Sequence, residues 1–183
     1  MSSDEPHFVT EQVPPVLQNG NIEIRRYDEV LIASVKVQAE SWRDASSLAF
    51  RPLANYIFGA NGSQEQIGMT TPVTTHQVAT DKGPMWEVRF FMPDRYDMAN
   101  LPDPQSPYIT LDKQSEKRFA VIRFSGAVRQ KQGVANFATH ENQLRKALEQ
   151  ADLPADGIAH YAVYDGPWTP SFMRRNEVLI TLD

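Results

Sequence analysis

The sequence predicts an α+β fold, in which two similar β-α-β-β units form one antiparallel sheet curled around its core, with two helices packed outside it. The first observation behind this is a repeated order of elements, because a strand, a helix and two strands occur in about 22–92 and again in about 108–182. The second is a local match between the halves, the dipeptide Glu-Val at 87–88 and at 177–178. The third is a period-two alternation of apolar side chains, which is typical of strands with one buried face.

Both halves belong to one predicted domain, residues 21–183, which follows a loose lead-in of residues 1–20. A chain of 183 residues with 41% hydrophobic and 22% charged residues is typical of a single globular domain with a substantial core. The lead-in is polar and rich in proline. A second Pro-rich stretch, residues 93–107, is interpreted as the connection between the two halves.

The first half contains four predicted strands and one helix. Ser41 suits the N-cap of the helix, and Gly59 ends it. Pro52 lies inside the helix and is expected to kink or divide it, because the ring removes a donor and crowds the preceding turn. The predicted bounds are about 22–27 and 30–37 for the first two strands, 41–58 for the helix, and 66–76 and 86–92 for the last two strands.

The second half repeats this order after the connection. Its helix carries Phe137, Leu144 and Leu148 on one side, at the spacing of an amphipathic helix. Asp152 and Pro154 end it. The predicted bounds are about 108–112 and 118–124 for the first two strands, 134–150 for the helix, and 158–164 and 177–182 for the last two strands.

The stretch GMTTPVT, residues 68–74, interrupts a good strand pattern with a proline. Pro72 in this stretch is matched to Pro167 in DGPWT of the second half. Proline in a sheet is found at edges and bulges, so both are expected to mark a bend at equivalent places. Met69 is interpreted as part of the wall of the protein rather than as a reactive group.

The composition excludes several classes of protein. A net charge of −5 and a pI near 5.4 argue against a nucleic-acid surface, which needs a basic patch. The absence of cysteine excludes disulfides, iron–sulfur clusters, thiolate ligation of haem and covalent haem attachment. No signal peptide and no apolar run of membrane-spanning length occur, so the predicted compartment is the cytoplasm.

No arrangement of residues predicts an enzyme. The sequence has no nucleophile elbow, no zinc-protease motif and no phosphate-binding loop. The carboxylates are scattered, so no acid–base pair emerges. The four histidines have no metal-ligand spacing, and no metal site is predicted; they are His7, His76, His140 and His160.

The first helix carries an anomaly on the side that should face solvent. Two phenylalanines lie there beside an arginine and small or polar residues, on the side opposite Leu53 and Tyr56. One interpretation is that the connection 93–107 or the C-terminal loop covers the rings. The other is a shallow apolar site for a flat, amphipathic anion. The candidate ligand-binding residues of this helix are Ser47, Phe50, Arg51, Ala54, Asn55 and Phe58.

The loop DGPWTPSFMRRN, residues 165–176, is a second candidate surface. Trp168, Phe172 and Met173 offer adaptable apolar contact, and the two following arginines offer carboxylate recognition. The combination suits a planar hydrophobic ligand with acidic substituents. The alternative is an ordinary loop anchored by its own aromatic side chains.

Seven stretches of the chain resemble the SOUL/haem-binding-protein family. The resemblance runs from about residue 22 to 182, and the order of its MTTPV and RRNEV segments makes it specific. The stretches are IEIRRYDEVLIASV, AFRPLANYIFGAN, IGMTTPVTT, VRFFMPDRY, LPDPQSPYITL, VIRFSG and YDGPWTPSFMRRNEVLI. The resemblance implies a duplicated β-α-β-β fold that forms a distorted barrel with two helices. It also implies non-covalent binding of haem or a porphyrin, without a known reaction.

The resemblance carries over only in part to individual positions. A histidine that one branch uses as an axial ligand is replaced here by Arg26, before Tyr27. In another branch, an apolar site on the first helix is matched by Phe50, Leu53 and Ala54. The basic positions of that branch correspond to Ser47, Asn55 and Thr169, none of which is basic. Arg51, one turn from the first two, is the expected substitute.

Two functions are therefore expected as alternatives. The first is a cytoplasmic, non-enzymatic binding protein for haem or a related tetrapyrrole, which acts as a buffer or carrier. The second is a small-molecule-sensing module for other lipophilic ligands, because the implied fold is similar to effector-binding domains of transcription regulators. In both cases the expected partner is a small, planar hydrophobic ligand.

Overall fold

The computed structural model of the chain describes residues 4–18 and 20–182. The chain divides into two compact units. The first unit consists of Glu29–Ser115 and the N-terminal residues up to Pro6, and the second consists of His7–Asp28 and the residues from Glu116 onward. Each unit contains one α-helix and antiparallel strands, so the predicted α+β class is confirmed. None of the helices in the described part of the chain is both long and apolar enough to cross a membrane.

The first unit is built from four strands and helix α1. The strand order is β4-β5-β3-β6, with all neighbours antiparallel and Val35 directly opposite Val88. Helix α1 packs against β3, β5 and β4 through side chains that are fully buried, among them Leu53 and Tyr56. The elements are β3 (Val30–Gln38), α1 (Trp42–Ile57), β4 (Val73–Val78), β5 (Met85–Phe91) and β6 (Thr110–Gln114).

The second unit repeats this plan with one additional strand. Its strand order is β1-β2-β7-β9-β8, again antiparallel throughout. Helix α2 packs on β7 and β9 through Phe137, Leu144 and Leu148, all fully buried as predicted. The elements are β1 (Phe8–Glu11), β2 (Ile22–Tyr27), β7 (Lys117–Phe124), α2 (Gln130–Gln150), β8 (Ala159–Val163) and β9 (Asn176–Thr181).

The duplication is visible in how the strands connect. In each unit the chain runs strand, helix, strand, strand, through β3-α1-β4-β5 and through β7-α2-β8-β9. The last strand of each run, β5 or β9, lies between the other two strands of that run. The first strand, β3 or β7, pairs along its other edge with a further strand, β6 or β2. The Glu-Val dipeptides lie on β5 and β9, the strands that correspond, and both glutamates are buried.

Three details of the lead-in and the first half differ from prediction. Helix α1 runs without interruption through Pro52, so the expected division is wrong. The strand expected from residue 66 begins only at Val73. Gly68, with φ of 101°, has a left-handed backbone conformation that a strand does not accommodate. Pro72 has no N–H to donate to a neighbouring strand, so regular pairing begins only after it. The chain also forms β1 and a single 3₁₀ turn at Pro15–Leu17 within the predicted lead-in.

The proposed equivalence of two prolines is also wrong. Pro72 immediately precedes β4, whereas Pro167 follows β8, and β4 and β8 are the corresponding strands. The two prolines therefore lie at opposite ends of related strands. Met69, next to Gly68, is partly exposed at the surface, in agreement with a wall residue.

Candidate functional site

The exposed side of α1 is the first candidate site. The side chain of Phe50 is 43% exposed and that of Phe58, the C-cap residue, is 61% exposed. Leu48, which the sequence analysis did not single out, is also more than half exposed. The chain therefore leaves the two phenylalanines open to solvent, and the expectation that the connection 93–107 covers them is not supported. The connection instead contacts the buried side of α1, where the Tyr56 hydroxyl donates to the Pro102 carbonyl at 2.6 Å.

The six predicted residues lie together on this side. At 100° per residue they span a continuous sector of α1, and Ala45, Ala49 and Leu53 on the other side are fully buried. We call this sector the α1 face. Its members are Arg43, Ser47, Leu48, Phe50, Arg51, Ala54, Asn55 and Phe58.

Phe50 is supported from beneath by the sheet. Its ring meets the ring of Phe90 on β5 edge-on, with a centroid distance of 5.5 Å and an interplanar angle of 63°. Phe90 itself is buried. This contact fixes one edge of Phe50 while leaving much of its surface open, so a ligand meets a positioned ring rather than a freely rotating one.

Two arginines give the α1 face a positive charge. Arg51 is exposed, and its guanidinium has no ion-pair partner among residues 4–18 and 20–182. Arg43 lies two turns earlier and donates from Nη1 to the Ser47 hydroxyl at 2.8 Å. Eight residues of helix separate the two arginines by about 12 Å. The sequence analysis missed Arg43, although its position one turn before Ser47 was a usable signal.

The histidines are all engaged elsewhere. His76 lies 3.1 Å from the buried carboxylate of Glu87, His140 stacks on Phe124, and His160 packs edge-on against Phe119. His7 contacts Asp28 at 2.6 Å. No group of three or more histidine, aspartate and glutamate side chains in the described part of the chain is arranged to hold a metal ion.

The loop between β8 and β9 presents the second candidate surface, which belongs to the second unit. Trp168 is 84% exposed, and Phe172 and Met173 are both more than half exposed. We call these three side chains the apolar tip. Arg174 is buried under the loop and donates to the carbonyls of Thr169 and Pro167 at 2.8 and 2.9 Å. The expectation that Arg174 is available to a ligand carboxylate is therefore wrong.

Arg175 has an internal carboxylate partner instead of a ligand. Its guanidinium approaches Glu177 at 3.2 Å and lies over the ring of Tyr164 at 3.8 Å. Glu177 is fully buried and also receives two hydrogen bonds from Arg25, at 2.9 and 3.0 Å, and one from Tyr164 at 2.6 Å. Burial alone would raise the pKa of Glu177, but the hydrogen bonds from Arg25 lower it below its ordinary value. This group of residues is a structural ion-pair network.

The candidate ligand-binding residues are divided between the units, because the α1 face belongs to the first unit and the apolar tip to the second. The first surface offers aromatic rings and unpaired cations, which is chemistry for a planar anion. The second offers apolar side chains, and the two arginines of its own loop, Arg174 and Arg175, are engaged within the protein. An open aromatic surface beside an exposed cation is typical of a ligand-binding protein.

Comparison with known proteins identifies the family. Residues 4–181 match the family described as SOUL heme-binding protein, and the chain belongs to that family. It is 27% identical over 172 residues to Heme-binding protein 1 of Mus musculus, covering 89% of this chain and 87% of the mouse protein. It is 28% identical over 162 residues to Heme-binding protein 1 of Xenopus tropicalis, covering 85% and 80% of the two chains.

The fold is also found in a distant solved structure. The C-terminal domain of EcmrR superposes with a TM-score of 0.62 at 12% sequence identity, covering 90% of this chain and 98% of that domain. At this identity the likeness concerns the fold alone.

Proposed function

We propose that the protein binds haem or a related tetrapyrrole non-covalently on the α1 face and acts as a buffer or carrier. The observation that carries the proposal is the pair of exposed phenylalanines, Phe50 and Phe58, beside the unpaired cation of Arg51. Membership of the SOUL family and the names of the mouse and frog relatives support the choice of ligand.

The residues of the α1 face fit such a ligand. Phe50, Ala54 and Phe58 are the residues that would contact a tetrapyrrole plane, because small Ala54 leaves room between the two rings. Arg51 and Arg43 are the groups that would hold its carboxylates, through charge-assisted hydrogen bonds. Burial of apolar surface stabilises the complex by about 25 cal/mol per Å², before the cost of ordering both partners. The histidines of the described residues are engaged elsewhere, so this mode needs no iron coordination by histidine.

A titration with two ligands tests the proposal. Hemin is followed by its Soret band and iron-free protoporphyrin by its fluorescence, and both are expected to bind with similar affinity. Phe50→Ala and Arg51→Glu are each expected to weaken both ligands by about tenfold. His140→Ala and the charge reversal Lys146→Glu, on exposed α2, are the controls and are expected to leave both affinities unchanged. A low-spin spectrum that disappears in one histidine variant would contradict the proposed mode.

The part of the apolar tip in haem binding remains a prediction. Trp168→Ala belongs in the same titration, because the sequence analysis placed Trp168, Phe172 and Met173 in the ligand site. A loss of affinity equal to that of Phe50→Ala would support a haem contact by the tip. An unchanged affinity would restrict the haem site to the α1 face.

A cleft in the first unit favours sensing of a different ligand as the second candidate function. It has a volume of about 230 Å³ and is lined by Met92 and Met98, by Asp94 and Asp97, and by the ion pair of Lys113 with Glu29. Methionine walls adapt to varied apolar shapes, and carboxylates favour a cationic group. A thermal-shift screen separates the two candidates, since binding to the native state raises its apparent stability. Stabilisation by lipophilic amines, but not by porphyrins, would favour sensing.

A further inference from the structure

The apolar tip is held in place by hydrogen bonds of its loop and by the packing of the Trp168 ring against Gly166. The Arg174 guanidinium donates to two carbonyls of the loop, those of Thr169 and Pro167. A single 3₁₀ turn at Ser171–Met173 carries two of the three side chains. The Gly126 N–H donates to the Ser171 carbonyl at 3.0 Å, which ties this turn to the segment that follows β7. The loop therefore presents its apolar side chains in a fixed arrangement, and little conformational entropy is lost when they are buried.

Exposure of this kind is costly in water and unusual for large side chains. The three large side chains of the apolar tip are all exposed to solvent, and they lie within six residues of chain. An exposed apolar surface of this kind is typical of a site that binds another molecule or a membrane.

The charges around the tip identify what covers it. The segment 123–131, which contains the Gly126 contact, has three lysines and arginines and no aspartate or glutamate. Arg123 and Arg129, three residues to either side of Gly126, are both exposed. The nearest acid in the loop, Asp165, accepts a hydrogen bond from the Arg175 N–H at 2.6 Å. The whole protein has a net charge of −5, so this positively charged segment differs in sign from the protein as a whole.

We propose that the apolar tip inserts into the interfacial layer of an anionic lipid bilayer, with Arg123 and Arg129 at the level of the headgroups. Tryptophan favours this layer because its ring is apolar and its N–H is polar. Apolar insertion and attraction of nearby cations to anionic lipid act together in peripheral membrane binding. The proposal goes beyond tetrapyrrole binding and does not depend on it.

The three tryptophans make the insertion directly measurable. Trp42 and Trp86 are 4% and 9% exposed, so only Trp168 can meet lipid without unfolding. Vesicles of phosphatidylcholine with about one-third phosphatidylserine are added to the full chain without haem. The tryptophan emission is expected to shift to shorter wavelength, and brominated lipid is expected to quench it. Trp168→Phe is expected to lose the shift and the quenching while still sedimenting with the vesicles.

Sedimentation with vesicles then tests which residues carry the binding. Trp168→Ala and Phe172→Ala are each expected to lower the partition coefficient by about tenfold. Tyr108→Ala removes an equally exposed aromatic ring of the first unit and is expected to change nothing. Arg123→Glu with Arg129→Glu is expected to abolish the preference for phosphatidylserine, and added salt is expected to weaken binding. Thermal melts of all variants show whether each is folded.

Several outcomes overturn the proposal. These are the absence of sedimentation with any vesicle, equal binding to pure phosphatidylcholine, and binding that Trp168→Ala leaves unchanged. Self-association that depends on Trp168 identifies a second copy of the chain as the occupant instead. Weaker haem binding by Trp168→Ala without any vesicle binding assigns the tip to the tetrapyrrole site. Because the vesicle assay contains no haem, failure of either proposal leaves the other standing.

Discussion

Glu177 holds three side chains of the second unit in place at once. Its carboxylate is fully buried and accepts hydrogen bonds from Arg25, Tyr164 and Arg175. The cost of burying this charge is offset only while the partners remain, because an unpaired buried charge is far more costly than the pair. The RRNEV motif, which is one of the most specific parts of the family resemblance, thus includes a residue whose role in the structure is internal.

Removing the charge of Glu177 is therefore expected to destabilise the protein strongly. Glu177→Gln leaves the buried Arg25 guanidinium without its buried anion, with only the half-exposed Glu23 still in contact, and is expected to cost about 3 kcal/mol of unfolding free energy. Glu23→Gln is the matched control, because Glu23 contacts the same Arg25 at 2.6 Å but is half-exposed. Its loss is expected to cost below about 1 kcal/mol. Chemical denaturation measures both, and equal costs would contradict the assignment.

The stability of the protein is expected to fall in acid. Two buried carboxyls, Glu177 and Glu87, have a pKa below the ordinary value of 4.5. Arg25 lowers the pKa of Glu177, and His76 and Arg89 lower that of Glu87, against the opposite effect of burial. A carboxyl whose pKa is lower in the folded state contributes stability above its unfolded pKa, and the contribution is lost as pH falls through the folded pKa. Urea unfolding at several pH values below 4.5 measures the decline. Glu87→Gln should flatten the decline, and Glu149→Gln, exposed on α2, should leave it unchanged.

At the scale of elements, the two helices begin in different ways. Helix α1 has a hydroxyl cap, since the Ser41 Oγ accepts the Asp44 N–H at 3.2 Å. Helix α2 begins after Arg129, which makes no side-chain cap, and its first turn lies close over Val128. Gly133 permits that approach, because a Cβ atom there would lie 2.3 Å from the Val128 carbonyl carbon.

Substitution of Gly133 is expected to reverse the usual effect of alanine in a helix. Alanine is favoured over glycine by about 1 kcal/mol in helix interiors. In α2 the added methyl group would collide with the backbone of Val128, which cannot move as a flexible side chain can. We expect Gly133→Ala to lower the unfolding free energy by about 2 kcal/mol. Gln132→Ala, exposed in the same turn, serves as the control and should be nearly neutral, so a more stable Gly133→Ala would refute the close approach.

The cap of α1 is expected to have a smaller effect. Ser41→Ala leaves the first N–H groups of the helix without their side-chain acceptor and is expected to cost about 1 kcal/mol. Ser41→Asn preserves an acceptor and is expected to restore most of this stability. Thermal unfolding of the two variants separates the capping effect from a general effect of substitution at this position.

The elements with strong local signals were predictable, whereas those that depend on distant partners were not. Ser41 and the apolar spacing of Phe137, Leu144 and Leu148 marked the two helices correctly. The first turn of α2 was missed, because Gly133 looks like a helix breaker until its contact with Val128 is seen. The ion pair of Arg25 with Glu177 joins residues 152 positions apart, so no local pattern shows it. The same reasoning applies to Arg174, whose carbonyl partners depend on the fold of the loop.

At the scale of the whole molecule, the second unit is formed from two separate parts of the chain, one before and one after the main part of the first unit. Strands β1 and β2 come first in the chain, yet they pair with each other and with β7 of the second unit. We propose that the units are also the cooperative units of local opening. The boundaries of the predicted repeat, about 22–92 and 108–182, would instead place β2 with the first helix.

Native-state hydrogen exchange distinguishes these two divisions. Leu148→Ala creates a cavity under α2 and is expected to speed exchange of the amides of β2, β7 and β9. Leu53→Ala makes the equivalent change under α1 and is expected to affect β3 and β5 instead. A response of β2 to Leu53→Ala rather than to Leu148→Ala would show that the repeat, not the unit, opens together.

The pairing of β2 with β7 also has a consequence for biosynthesis. When β1 and β2 leave the ribosome, their partner strand has not been translated, and β3, α1 and β4 to β6 emerge before it. The first unit has all its strands at that point, whereas the N-terminal hairpin still has a free edge that can pair with other chains. We therefore expect the first strands of the nascent polypeptide to need protection from other chains until the second half has been made.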